Sequence, residues 1–156
     1  MALILTMLMA PSCPRRVTAA GRAAARPAPR RYRRCMLSLA TLLASERELA
    51  TGDGETYRRT MRADALFVLP GMVLDAEGCA RAMDVSPGWD GVALTDAQLL
   101  PVGEDAASVV YTFEGRRGQE VYRATMASTY VEEDGRAVLV LHQQTPLGAA
   151  GRRSQE

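Results

Sequence analysis

The chain holds a single histidine, His142, in the stretch LVLHQQTPL that spans residues 139–147. Imidazole is the side chain whose ordinary pKa lies nearest neutral pH, so it acts as a general base or acid wherever a partner orients it. A carboxyl group in the same cavity can serve beside it, either as base or as a hydrogen-bond donor of raised pKa. Most acids here fall in turns or helical stretches; Asp96, inside VALTDAQLL, is the exception. Apolar residues flank it in a long strand, and a β-bulge there would turn it inward. His142 and Asp96 are therefore the candidate catalytic pair, with Tyr111 as an alternative partner for the histidine. The plainer readings are a hydrogen-bonded structural histidine and an aspartate that faces solvent or holds the bulge.

Other familiar chemistries lack their residues. One histidine and three scattered cysteines, Cys13, Cys35 and Cys79, give no metal-ligand spacing and no disulfide framework. The GxSxG, GxGxxG and GK[ST] patterns are missing, and GDGETY at 52–57 has glycines but no lysine for a phosphate. Neither a metal nor a cofactor is expected. Cys79 sits in a helical pattern and reads as a small buried apolar residue.

Periodicity indicates the elements that must hold these residues. From Ser38 onward Leu39, Leu42, Leu43, Leu49 and Ala50 recur at helical spacing, and Gly52 follows where a C-terminal cap belongs, predicting a helix over about 38–51. Asp53 can cap a second, short helix in which Tyr57 and Met61 share a face. ALFVL at 65–69 reads as a strand closed by Pro70-Gly71, and MVL is its short return. Asp75 then caps a third helix with Ala76, Cys79, Ala80 and Met83 inward, ended by Pro87-Gly88. After Trp89 the pattern becomes long strands, about 90–102, 106–114, 119–131 and 137–144, separated by GED, GRRG and EEDG. Helices followed by an antiparallel meander make the class α+β.

Side chains alternate along a strand, so the register of the EEDG hairpin decides which face His142 occupies. A two-residue loop at Asp134-Gly135 puts it opposite Ala127; a three-residue loop, Glu133-Asp134-Gly135, with a glycine bulge puts it on the face of Met126 and Ser128. The three-residue loop is preferred, because it divides the last strand sensibly between two faces. Tyr122, Met126, Ser128 and Tyr130 then share a side with Val138, Val140, His142 and Gln144. A four-residue GRRG loop pairing Glu114 with Gln119 adds Val109, Tyr111 and Phe113. This bulky face suits a cavity wall, while Val110, Thr112, Arg123, Thr125, Ala127, Thr129, Leu139 and Leu141 form a flatter opposite face suited to a second copy.

Charge divides the chain. Residues 1–35 carry eight Arg and no acid, whereas residues 36–151 carry nine Arg against seventeen acids. The acidic body offers no basic face for nucleic acid. The leader's apolar run of ten residues is too short to span a bilayer, and its charge follows rather than precedes that run, unlike a secretory signal. It reads as a disordered basic leader, a transit-like peptide or an over-long gene start before Met36; a cytoplasmic protein without a membrane partner is expected. Residues 148–156 read as a disordered tail.

SERELATGDGETY, ADALFVLPGMVLD, the lone Trp89 and the ending YVEEDGRAVLVLHQQTP together resemble the nuclear transport factor 2-like superfamily, in its bacterial SnoaL-like and domain-of-unknown-function branch, over about residues 38–147. Ala137 departs from it, since the family usually places Trp after the DG turn. The resemblance implies a cone, a strongly curved sheet wrapped around helices with an open mouth, commonly dimerised through the sheet's outer face, and it also implies the phase preferred for His142. The superfamily includes isomerases, cyclases, dehydratases and proteins without catalysis, so the fold names no reaction. The expected function is binding of a small apolar or aromatic molecule by Trp89, Tyr111, Tyr122, Met126, Ser128 and Gln144, with His142 deep and Trp89 near the mouth. The alternatives are an isomerase, cyclase or dehydratase acting on a small apolar carbonyl substrate, and a non-catalytic dimeric interaction module.

Overall fold

The computed structural model describes residues 36–148. The expected basic leader, 1–35, and all of the expected tail except Gly148 lie outside the described residues.

Three helices come early. Helix α1, Leu39–Thr51, starts where Ser38 Oγ accepts from the Thr41 amide and ends at Gly52. Helix α2, Gly54–Thr60, is capped by Asp53, and α3, Ala76–Val85, by Asp75; each aspartate accepts an amide hydrogen bond from the residue three positions on. Such caps satisfy amides that a helix start leaves unpaired. Arg58 ties α2 to α3 by bonding Glu77 and Asp84.

Six strands form one mixed sheet: β1 Met61–Leu69, β2 Met72–Asp75, β3 Gly91–Pro101, β4 Ala106–Arg117, β5 Glu120–Glu133 and β6 Arg136–Pro146. Their order is β2-β1-β6-β5-β4-β3. The last four strands are the antiparallel meander, but β1 joins β6 in parallel, so the sheet is not wholly antiparallel. Bulges interrupt the β1–β6, β3–β4 and β5–β6 pairings. A bulge bends its strand and sharpens the twist, which is how this unclosed sheet curves around the helices. The core lies between them, built from Leu42 and Leu49 of α1, Tyr57 of α2, Phe67 of β1 and the inward residues of β4, β5 and β6.

Both hairpins differ from expectation. At GRRG the strands run on until Arg117 pairs with Glu120, and Glu114 lies opposite Arg123 rather than Gln119. The displacement is an even number of residues, so every side chain keeps its expected face. At EEDG, Glu133 pairs with Arg136, leaving the two-residue loop Asp134-Gly135 in place of three residues. Both loop residues have positive φ, 51° and 74°, the geometry of a tight turn whose twist matches its strands. Taken alone this loop would send His142 to the Ala127 face. The register then shifts: Tyr130 pairs with Leu139, but Thr129 pairs with Leu141. Val140 is thus an extra residue in β6, and it returns His142 to Ser128. The same bulge puts Leu139 inside, fully buried, so its expected place on the outer face is corrected.

Candidate functional site

Helix α1 presents Leu42, Glu46 and Leu49 to the core, spaced i, i+4 and i+7. Two of these are ordinary core residues. Glu46 is a carboxyl group only 2% exposed, and a buried acid is tolerated only where its oxygens are bonded. Tyr111 of β4 donates to Glu46 Oε2 at 2.5 Å, and Tyr130 of β5 donates to Oε1 at 2.6 Å. The three side chains come from separate elements, so the cluster locks helix to sheet.

His142 lies beside this cluster, 5% exposed. Its Nδ1 is 2.8 Å from Ser128 Oγ on the facing strand, and its Nε2 is 3.4 Å from Gln144 Nε2. With the amide nitrogen as donor, Nε2 accepts and Nδ1 carries the proton toward Ser128. Tyr122 donates to Gln144 Oε1 at 3.2 Å and extends the chain toward the solvent side. The Phe67 ring stacks on the imidazole with centroids 4.5 Å apart. Burial holds His142 below the usual histidine range, opposed by the negative charge of Glu46. The ring is therefore neutral at pH 7, and the 3.9 Å from Nδ1 to Glu46 Oε2 becomes an ion pair only when the ring gains a proton. Burial first, and then the Glu46 charge and hydrogen bond, push Tyr111 and Tyr130 far up, so both remain protonated donors.

A cavity of about 380 Å³ opens above this floor. Buried Glu46, Tyr111 and His142 line it together with Phe67, Phe113 and Met126, as do the more exposed Trp89, Pro87 and Arg117. Trp89 packs against Phe113 and stacks on Tyr122, with centroids 5.7 Å and 6.0 Å away. The Arg117 guanidinium lies 4.6 Å over the indole while donating to the carbonyls of Pro87 and Gly88. That fastens the segment between α3 and β3 to the β4–β5 hairpin. Gly115 makes room: a Cβ there would lie 2.7 Å from Trp89 Cδ2. Chemically, Nε2 is the basic nitrogen of the floor, able to take a proton once Gln144 gives up its hydrogen bond, and Glu46 is placed to offset the charge that proton uptake creates. No group of His, Cys, Asp and Glu among the described residues has the arrangement of a metal site.

No family model matches the chain, and no curated protein does. Solved structures do. A ketosteroid isomerase-like protein from Parabacteroides distasonis aligns at 12% identity with a TM-score of 0.62, covering 71% of this chain and 89% of that one. An NTF2-like protein of unknown function in nutrient uptake from Rhodospirillum rubrum aligns at 19% identity and 0.62, covering 71% and 99%. The CaMKII hub homology domain of Chlamydomonas reinhardtii aligns at 16% and 0.60, covering 70% and 95%. This chain has the nuclear transport factor 2-like fold.

Within that NTF2-like cone, Trp89, Tyr111, Tyr122, Met126, His142 and Gln144 come together around one cavity. Ser128 does not line it, being held behind His142 as the acceptor that orients the ring. Asp96 is corrected. The bulge expected at its position exists, between Thr95 and Gln98, and Asp96 takes φ 53° within it. Its carboxylate is exposed, accepts from Thr95 Oγ1 at 3.1 Å and is absent from the cavity wall, so it is no partner for His142. The acid beside the histidine is Glu46, which sequence reasoning passed over. The signal was available, because a glutamate stands at the middle of an otherwise apolar helical stripe between Leu42 and Leu49.

Proposed function

We propose that this chain binds a small, mainly apolar molecule inside the NTF2-like cone, seated on the aromatic wall with its polar end toward His142. The observation that carries this reading is the open, ring-lined cavity whose floor is a fully bonded polar cluster. Apolar walls with a few convergent polar groups are the ordinary composition of a ligand site. Trp89 is the only tryptophan and lines the cavity, so its emission reports occupancy. Titration with tetralin should shift that emission to saturation at one ligand per chain; no change up to the solubility limit rejects the reading.

One observation favours a second reading, proton-transfer catalysis on a carbonyl compound: neutral His142 lines the cavity and has Glu46 Oε2 3.9 Å from its Nδ1. The imidazole would take a proton from carbon next to the carbonyl, and Glu46 would stabilise the resulting charge. The relative whose name mentions ketosteroid isomerase supports only the fold. Repeating the titration with 1-tetralone in D2O separates the two, since catalysis exchanges the ketone's α-protons and binding alone does not.

A pairing of two copies belongs to the same proposal. The outer face carries the row Leu66, Leu141, Thr129, Ser108 and Leu100 and, beside it, Val68, Gln143, Ala127, Val110 and Gln98, with no charged residue in either. Leu66 and Leu100 are 45% and 61% exposed in the single chain. Made of apolar and neutral polar side chains, these two rows suit contact with their own copy about a twofold axis.

A further inference from the structure

The hydrogen bonds around the cavity floor close on themselves, with one departure. Glu46 is held by Tyr111 and Tyr130, His142 by Ser128 and Gln144, and Gln144 by Tyr122. Tyr57 of α2 also lines the cavity, is only 8% exposed and packs its ring on Phe67 with centroids 5.7 Å apart. Its hydroxyl makes no hydrogen bond with any described residue. Nor is that hydroxyl sealed away, because the one sealed side-chain atom without a partner among the described residues is Glu132 Oε2. A phenol that lines the cavity, is not sealed and bonds no described residue keeps its donor free for a molecule held there.

Helix α2 is well placed to aim it. The Asp53 cap fixes the start of the helix, and Arg58, the next residue, is clamped to Glu77 and Asp84 of α3. Burial, with the nearby Cys79 and Glu46, pushes the Tyr57 phenol well above its usual range, which keeps the proton on the oxygen. The same Glu46 charge disfavours an anion beside that hydroxyl, and both Glu46 oxygens are already occupied.

We propose that Tyr57 sets the ligand class of the cavity: its hydroxyl donates to a neutral oxygen, a ketone or alcohol, carried by an otherwise apolar ligand. This rests on the cone being a ligand site. A site that offers a buried donor discriminates strongly against the analogue lacking the acceptor, because the donor is then left unpaired.

The test is calorimetric titration of the full chain with 1-tetralone and with tetralin, which share a shape and differ in the ketone. Wild type should bind tetralone about tenfold more tightly. Tyr57→Phe should bring tetralone down to the affinity of tetralin and leave tetralin unchanged, with a melting temperature within about 2 °C of wild type, since no protein contact is lost. Equal affinity of wild type for the two ligands overturns the proposal, as does a Tyr57→Phe variant that keeps the preference. So does a fall in melting temperature of more than about 5 °C, which would mean the hydroxyl has a structural partner. Failure of both ligands to bind instead rejects the cavity as a ligand site, and the role of Tyr57 with it.

Discussion

Two phenols and one carboxyl group meet where helix α1 crosses the sheet, and each phenol uses a different oxygen of Glu46. Glu46→Leu keeps the volume but removes both acceptors at once, leaving two buried hydroxyls unpaired. At about 1–3 kcal/mol for each orphaned group, urea unfolding should show a loss of about 2–5 kcal/mol. Glu46→Gln, which retains an acceptor oxygen, should lose less; a leucine variant as stable as wild type would mean the cluster contributes nothing. Sequence reasoning could place this residue on the inner face of a helix but not say what it meets, because Tyr111 and Tyr130 arrive from strands 65 and 84 positions away. Asp96 failed for the opposite reason. Its bulge was legible from an acid within an apolar strand, yet the direction in which a bulged residue points depends on local backbone geometry that the letters do not carry.

At the scale of elements, caps and turns were the most legible features. Ser38, Asp53 and Asp75 begin their helices as their chemistry dictates, and Gly71 takes the positive φ, 81°, that its turn requires. Register was not legible. The correct face of His142 came from a three-residue loop, whereas the molecule reaches it by a two-residue loop and a bulge at Val140. A single extra residue inverts the pattern wherever it stands, so the face alone cannot say which device is used. The β4–β5 hairpin bears on the cavity mouth through Gly115, above which Trp89 lies. In Gly115→Ala the new methyl must displace the indole, and overpacking of this kind costs about 1–3 kcal/mol. Trp89 emission should move to the red as the ring leaves Phe113 and Tyr122; an unmoved spectrum with unchanged stability would show that the close approach is dispensable.

For the molecule as a whole, alternation in β4 and β5 was enough to separate an inner face of rings from an outer face of small and hydroxyl residues, and burial follows that division. The parallel partnership of β1 with β6 was not readable, since it joins segments some 75 residues apart with no local signal. The outer face is where two copies would meet. Ala127 lies near its middle, between Val110 and Gln143, and a guanidinium there could not be buried against its own copy without an acid to meet it. Wild type should sediment as a dimer and Ala127→Arg as a monomer with its fold retained. A monomeric wild type, or a variant that still pairs, removes this face from the interface.

His142 provides the most direct measurement, because a chain with one histidine gives one imidazole in a nitrogen-15 spectrum. At pH 7 the ring should show the neutral form protonated at Nδ1, and saturating 1-tetralone should move the Nε2 resonance while leaving Nδ1, bonded to Ser128, nearly still. If the ligand saturates the protein without moving either nitrogen, or the free ring is already charged at that pH, the site is not the one placed here beside Glu46.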